Sequence, residues 1–228
     1  MHYKILGTVS ADMSGLLDDI KTESLRLWEE VHPVKLMPNV LSRARVIHFL
    51  NPALVDRIQK SIFPEIFQDT DTRLMSHQFR HQVFVAPPHS GMEIHKDGAI
   101  KKSALNIIIQ GTKNDWTRWY SDELIESFGG RLDLANPTNN SAKRYSRNIG
   151  NLPNYPELLC TEELTGLMLT GTVYLINTDI YHAFFNNSDE FRIVLQTNFV
   201  KDPPDRHPAV EELDAKIQQT GLLNVNPL

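Results

Sequence analysis

Cysteine is all but missing: one residue, Cys160, stands in 228, so no internal disulfide can form and packing alone must hold the fold. Long apolar runs are missing too. The longest, from Ala104 to Ile109 and Val173 to Ile176, have strand length, well short of the roughly 20 residues a membrane helix needs. The opening MHYKILGTVSADMSGLLDD lacks the basic region and apolar stretch of a secretory signal, so the expected compartment is the cytoplasm. Positive charge is in deficit, 23 Lys and Arg against 28 Asp and Glu for a net −5, which excludes a broad nucleic-acid footprint; Lys143, Arg144 and Arg147 are only a local patch. A Ser-His-Asp nucleophile elbow, a phosphate loop, a Cys-x-x-Cys pair and internal repeats are all lacking, which removes several enzyme and metal-binding classes. Cys160, beside Leu158 and Leu159, reads as a small buried apolar residue.

What is present is an ordinary globular balance, 41% hydrophobic and 22% charged, enough for one domain with a sizeable core. From Ser14 to Val31, Leu16, Leu17, Ile20, Leu25, Leu27, Trp28 and Val31 recur at helical spacing, and His32-Pro33 ends the pattern. Pro52 follows Asn51, a cap residue, and Leu54, Val55, Ile58 and Ile62 predict a second amphipathic helix up to Pro64. From Leu74 onward short runs rich in Val, Ile, Phe and Tyr predict strands at Gln78 to Ala86, Ala104 to Gln110, Thr117 to Tyr120, Thr172 to Asn177, His182 to Phe185 and Phe191 to Val200. Leu134 to Leu158, rich in Asn and Pro and without a period, predicts a long loop of the kind that serves as a lid. Val210, Leu213 and Ile217 predict a C-terminal helix. The expected division is a helical part at 1–73, an all-β core at 74–200, and a helix and tail at 201–228.

Chemistry concentrates in two stretches, EIHKDGAIKKSALNIIIQG and YHAFFNNSDEFRIVLQTNF. On an extended segment, residues i and i+2 point the same way, so His95 and Asp97 can present an imidazole nitrogen and a carboxylate oxygen to one ion. His182, just past the Asn177-Thr178-Asp179 turn, supplies a third donor, and two His with one carboxylate make the facial triad of non-haem Fe(II) oxygenases. The competing reading of His-x-Asp alone is an exposed turn. Ten residues beyond His182, Arg192 opens a run in which Arg192, Val194, Gln196 and Asn198 face one way and Ile193, Leu195, Thr197 and Phe199 the other. An arginine aimed into a β core needs an anion, and its planar fork suits a carboxylate.

His-x-Asp, a distant His, and Arg ten residues on resemble the Fe(II)- and 2-oxoglutarate-dependent dioxygenases, over about Leu74 to Val200. Within them the two quoted stretches look most like the aspartyl/asparaginyl β-hydroxylase and proline-hydroxylase-like branch. The resemblance implies a mainly β fold with flanking helices around a double-stranded β-helix (jelly-roll) core. It implies Fe(II) on His95, Asp97 and His182, 2-oxoglutarate as cosubstrate with its distal carboxylate on Arg192, and O2. Asn106, eleven residues after His95, falls where that branch often places a histidine on the cosubstrate. The chain departs from the common Arg-x-Ser at Arg192-Ile193-Val194. A carboxylate at Asp97 fills the place that related halogenases leave open for a halide, which favours hydroxylation.

For the substrate, a small amino-acid-like molecule is expected, with Arg118 or Arg80 gripping a carboxylate and Trp116 and Trp119 lining the pocket; each also reads as a surface or packing residue. A protein side chain is the alternative substrate, and a non-catalytic jelly-roll metal-binding protein the alternative function. No nucleic-acid or membrane partner is expected. Tyr174 faces either the cavity or the core, and His77 and His81 either line the pocket or play a structural role.

Overall fold

The structure is a computed structural model that describes residues 1–31, 45–47, 51–62, 72–74, 81–97, 102–111, 114–127, 132–133, 143–145, 162–165, 169–201, 208–220 and 225–226. Its strands are β1 (Tyr3–Val9), β2 (Arg45–Ile47), β3 (Thr72–Leu74), β4 (His81–Ala86), β5 (Ser90–Lys96), β6 (Ser103–Gln110), β7 (Asp115–Tyr120), β8 (Leu132–Asp133), β9 (Lys143–Tyr145), β10 (Glu162–Thr165), β11 (Thr172–Asn177), β12 (Tyr181–Asn186), β13 (Arg192–Thr197), β14 (Phe199–Lys201) and β15 (Val225–Asn226). The helices are α1 (Ser14–Val31), preceded by a 3-10 turn at Ala11–Met13, then α2 (Pro52–Ile62), α3 (Asp122–Ser127) and α4 (Val210–Thr220).

Two antiparallel sheets carry the fold: a seven-stranded one in the order β15-β1-β11-β6-β13-β4-β2 and a six-stranded one in the order β10-β7-β12-β5-β9-β8. In the larger sheet, alternation sends Leu105, Ile107, Ile109, Val173, Leu175, Ile193, Leu195, Val83 and Val85 to one face. There they form a single core with Leu16, Leu17 and Ile20 of α1, Leu54, Val55, Ile58 and Ile62 of α2, and Val210, Leu213 and Ile217 of α4. The opposite face turns toward the smaller sheet, and Ile108, Tyr174, Ile176 and Val194 pack there on Trp119 of β7. Both predicted N-terminal helices form as read. Asn51 caps α2 by accepting a hydrogen bond from the Ala53 N–H at 2.9 Å, and Trp28 of α1 meets Phe191 edge-on at 6.0 Å.

The N-terminal part is not wholly helical. Tyr3–Val9 forms β1, antiparallel to β11, with Tyr3 opposite Ile176, and so extends the larger sheet. Its sequence, YKILGTV, breaks alternation at Gly7, where the register slips, and that bulge hid the strand. The expected run from Phe191 to Val200 divides into β13 and β14, the latter pairing with β3. Of the expected long loop, Lys143–Tyr145 forms β9 against β5; the rest of Leu134 to Leu158 lies outside the described residues, as do His77 and Cys160. None of the described helices is long and apolar enough to cross a membrane.

Candidate active site

β5 and β12 are hydrogen-bonded neighbours, and their register sets His95 directly opposite His182. Directly paired residues share a face, so both rings project toward the larger sheet, with centroids 4.4 Å apart. A bulge between His182 and Phe184 reshapes β12 beside the site. Asp97 lies one residue past β5, where its backbone N–H donates to Thr178 O at 3.0 Å, while Thr178 N–H donates to Lys102 O at 3.0 Å. The predicted turn is there: Asn177 Oδ1 accepts from the Asp179 N–H at 3.0 Å. The turn before β12 is thus stitched to the segment after β5, and all three side chains are held on one frame.

One donor atom from each of His95, Asp97 and His182 lies within 4.8 Å of the others, and His95 Nε2 is 3.5 Å from Asp97 Oδ1. His182 Nδ1 sits 2.8 Å from Ile180 O, so Nδ1 carries the proton and Nε2 is the nitrogen offered to a metal. His95 and His182 are buried and Asp97 is half-buried. Two imidazoles and a carboxylate on one face, with the cavity on the other side, suit a first-row divalent ion with open positions.

The cavity in front of this triad is lined by Asn106, Thr117, Tyr174, Phe184, Arg192 and Gln196 among others. Arg192 comes from the first position of β13 and faces inward, as the alternation predicts, with Val194 and Gln196 behind it. Its Nε donates to Asp115 Oδ2 at 2.9 Å, its Nη2 donates to Thr117 Oγ1 at 3.4 Å, and its guanidinium carbon stands 4.9 Å from the centre of the Phe184 ring. Asn106 Nδ2 donates to the Tyr174 hydroxyl at 3.2 Å, and its buried Oδ1 meets no hydrogen-bond partner within the protein. An orphaned amide oxygen in a cavity wall is what a ligand donor would satisfy. Burial pushes the Tyr174 phenol above its usual pKa, against the opposing pull of Arg192 and the bond from Asn106, so Tyr174 stays neutral.

The structure brings His95, Asp97, His182, Arg192 and Asn106 together and parts them from three expected substrate contacts. Along β7, Asp115, Thr117 and Trp119 face the larger sheet, while Trp116, Arg118 and Tyr120 face the other side of the smaller sheet, where Arg118 and Tyr120 are buried. Arg118 stacks its guanidinium on the Trp116 ring at 4.0 Å, and Trp116 stacks in turn on Phe185. Trp119 is fully buried, donates from Nε1 to Asn177 O at 3.2 Å and stacks on Tyr3 at 5.3 Å, a packing role between the sheets. The strand pleat decides the placement of Trp116 and Arg118, whereas Trp119 shares the face of Thr117 and is taken up by packing between the sheets. Arg80 lies outside the described residues. His81 is buried on the helix-covered side, with Nδ1 2.9 Å from Thr197 Oγ1.

Sequence reasoning missed Asp115 and left Tyr174 open. A signal for Asp115 existed: an inward arginine needs a counter-charge, and Asp115 stands two residues before Thr117 on the inward face.

No protein-family model matches the chain, and no curated protein matches it. Solved structures do. SnoK, a non-haem α-ketoglutarate-dependent carbocyclase from nogalamycin biosynthesis, aligns over 100% of this chain and 88% of its own at 13% identity, with a TM-score of 0.51. SnoN, an epimerase of the same biosynthesis crystallised with Fe3+, α-ketoglutarate and nogalamycin RO, aligns over 87% and 78% at 14% identity and a TM-score of 0.51. AviO1 from Streptomyces viridochromogenes aligns over 91% and 92% at 12% identity and a TM-score of 0.51. At such identities the likeness fixes the fold, a jelly-roll core with flanking helices.

Proposed function

We propose that the chain is an Fe(II)- and 2-oxoglutarate-dependent oxygenase that hydroxylates an unactivated C–H bond of a small molecule. One observation carries this reading: the His95, Asp97 and His182 cluster and the inward Arg192 line the same cavity, between two sheets of a jelly-roll whose fold relatives SnoK and SnoN are α-ketoglutarate-dependent. Arg192 already has a counter-charge in Asp115, so what disfavours the non-catalytic alternative is its place on the wall of the cavity in front of the triad.

His95 Nε2, Asp97 and His182 Nε2 would hold the iron, and Arg192 the distal carboxylate of 2-oxoglutarate, with the Thr117 and Tyr174 hydroxyls and the Asn106 Nδ2 amide, rather than its acceptor Oδ1, around it. With iron, 2-oxoglutarate and O2 bound, the chemistry supplied is loss of CO2 from 2-oxoglutarate to give succinate and insertion of one oxygen atom into the substrate C–H bond. Phe184, Val194 and Ile176 give the cavity apolar walls, and the fixed triad would set which carbon lies nearest. Asp97 occupies its ligand position, which supports hydroxylation over halogenation. The sequence resemblance supports the aspartyl/asparaginyl β-hydroxylase and proline-hydroxylase-like branch. The substrate is proposed to be a free amino acid or similar small molecule, or a peptide side chain, and it would be met by Phe84 and Gln196 rather than by Arg118, which faces away.

The test is succinate formation from 2-oxoglutarate in air by Fe(II)-loaded protein, beside Asp97→Ala. Oxygen-dependent succinate from the wild type and none from the variant is the expected result. Tight iron binding with no succinate, in the presence of a panel of amino acids and peptides, would instead favour the metal-binding alternative.

A further inference from the structure

Arg192 is held from behind before any ligand reaches it. Its Nε and Nη2 lie on the same edge of the guanidinium, and both are engaged: Nε with Asp115 Oδ2 at 2.9 Å and Nη2 with Thr117 Oγ1 at 3.4 Å. Both side chains of the ion pair are buried, at 6% and 9% exposure, so this contact is not a solvent-screened surface bridge. Asp115 stands opposite Asn186 in the β7–β12 ladder, and Asn186 is itself fixed, its Nδ2 donating to Ala86 O at 3.0 Å and to Glu190 O at 2.7 Å. Thr117 is paired with Phe184, whose ring lies beside the guanidinium. Thr117, Phe184 and Arg192 line the cavity; Asp115 does not. The carboxylate therefore anchors one edge of the guanidinium from behind, and on the cavity side the Arg192 side chain meets the Tyr174 hydroxyl.

We propose that Asp115 is the positioning residue that fixes the reach of Arg192, and so sets the chain length of the 2-oxo diacid the site accepts. This rests on the function proposed above and adds its specificity determinant. The distance between the triad and Arg192 is a ruler for the diacid. A long arginine side chain with several rotatable bonds makes a poor ruler unless its head group is pinned. Asp115 has a second consequence. It compensates the charge of Arg192, so the clamp recognises a distal carboxylate chiefly by hydrogen-bond geometry rather than by an unpaired positive charge.

The two effects separate experimentally. Asp115→Asn keeps an acceptor for Arg192 Nε and removes the negative charge; Asp115→Ala removes both. Anaerobic Fe(II)-loaded wild type and variants are titrated with oxaloacetate, 2-oxoglutarate and 2-oxoadipate, which differ by one carbon each, and binding is read from the visible charge-transfer band of the chelated keto acid. The expected result is a preference for the five-carbon acid that falls roughly tenfold or more in Asp115→Ala, the loss of one charged hydrogen bond. In Asp115→Asn that preference is retained and all three acids bind more tightly. A five-carbon preference in Asp115→Ala equal to that of the wild type overturns the proposal. If Asp115→Ala does not fold, as judged by circular dichroism, Asp115→Glu, which keeps the charge and moves the anchoring carboxylate by one methylene, decides. A five-carbon preference that is reduced or moved to another chain length supports positioning by Asp115, and an unchanged one overturns it. A wild type that binds iron and gives no band with any of the acids fails the function proposed above instead.

Discussion

Tyr174 and Arg192 show how a single buried group ties the site to stability. Tyr174 keeps its proton in the fold to higher pH than in the unfolded chain, where a tyrosine ionises near about 10. Below that pH both states are neutral and nothing is lost. Above it the unfolded chain gains by ionising, so stability drains as pH rises toward the folded-state value. The midpoint of thermal unfolding should therefore fall more steeply between pH 9 and 11 in wild type than in Tyr174→Phe; parallel curves would remove Tyr174 from this role. Arg192→Ala would be a poor test of the clamp, since stranding the buried Asp115 carboxylate costs roughly 3–5 kcal/mol of stability. Arg192→Lys keeps the charge and loses the fork. It should weaken 2-oxoglutarate by roughly ten- to a hundredfold, the worth of a charged hydrogen bond, in a calorimetric titration of the Fe(II) protein. At this scale the sequence was most legible where spacing alone assigns a face: His95 with Asp97, and Arg192 with Val194 and Gln196. It was least legible at Arg118 and Trp116, whose chemistry suits a binding site but whose place on β7 turns them away from the cavity.

Among the elements, the β5–β12 pair carries His95 and His182, and at Gly91 it leaves no room for a side chain. A Cβ there would run into the Phe184 carbonyl oxygen and come within 2.7 Å of the Phe185 ring, and a strand backbone cannot yield as a flexible side chain would. Gly91→Ala should cost roughly 1–3 kcal/mol in a urea titration and loosen iron binding with it, because the displaced strand also carries His182. Unchanged iron affinity would show that the ligand frame does not depend on this contact. The helices were readable from their periods, and the Asn51 cap from its residue type. β1 was not, because Gly7 interrupts its alternation and its partner β11 lies far along the chain.

For the whole molecule, the two sheets divide the labour. The larger sheet buries its outer face under α1, α2 and α4 and offers Asn106, Tyr174, Arg192 and Gln196 from its inner face, while the smaller sheet offers His95, His182 and Thr117 from the face opposite. Neither sheet alone holds both the His95, Asp97 and His182 cluster and Arg192, and for that reason the distance across the gap was beyond reach of sequence patterns, which report faces within a strand. On the function proposed above, this gap holds iron and 2-oxoglutarate together. The most direct measurement adds Fe(II) to metal-free protein under anaerobic conditions, then 2-oxoglutarate, and records the visible spectrum of wild type beside Asp97→Ala. A charge-transfer band that appears only with both additions and is lost or weakened in the variant is the expected result. Iron binding without that band, at saturating 2-oxoglutarate, would contradict it.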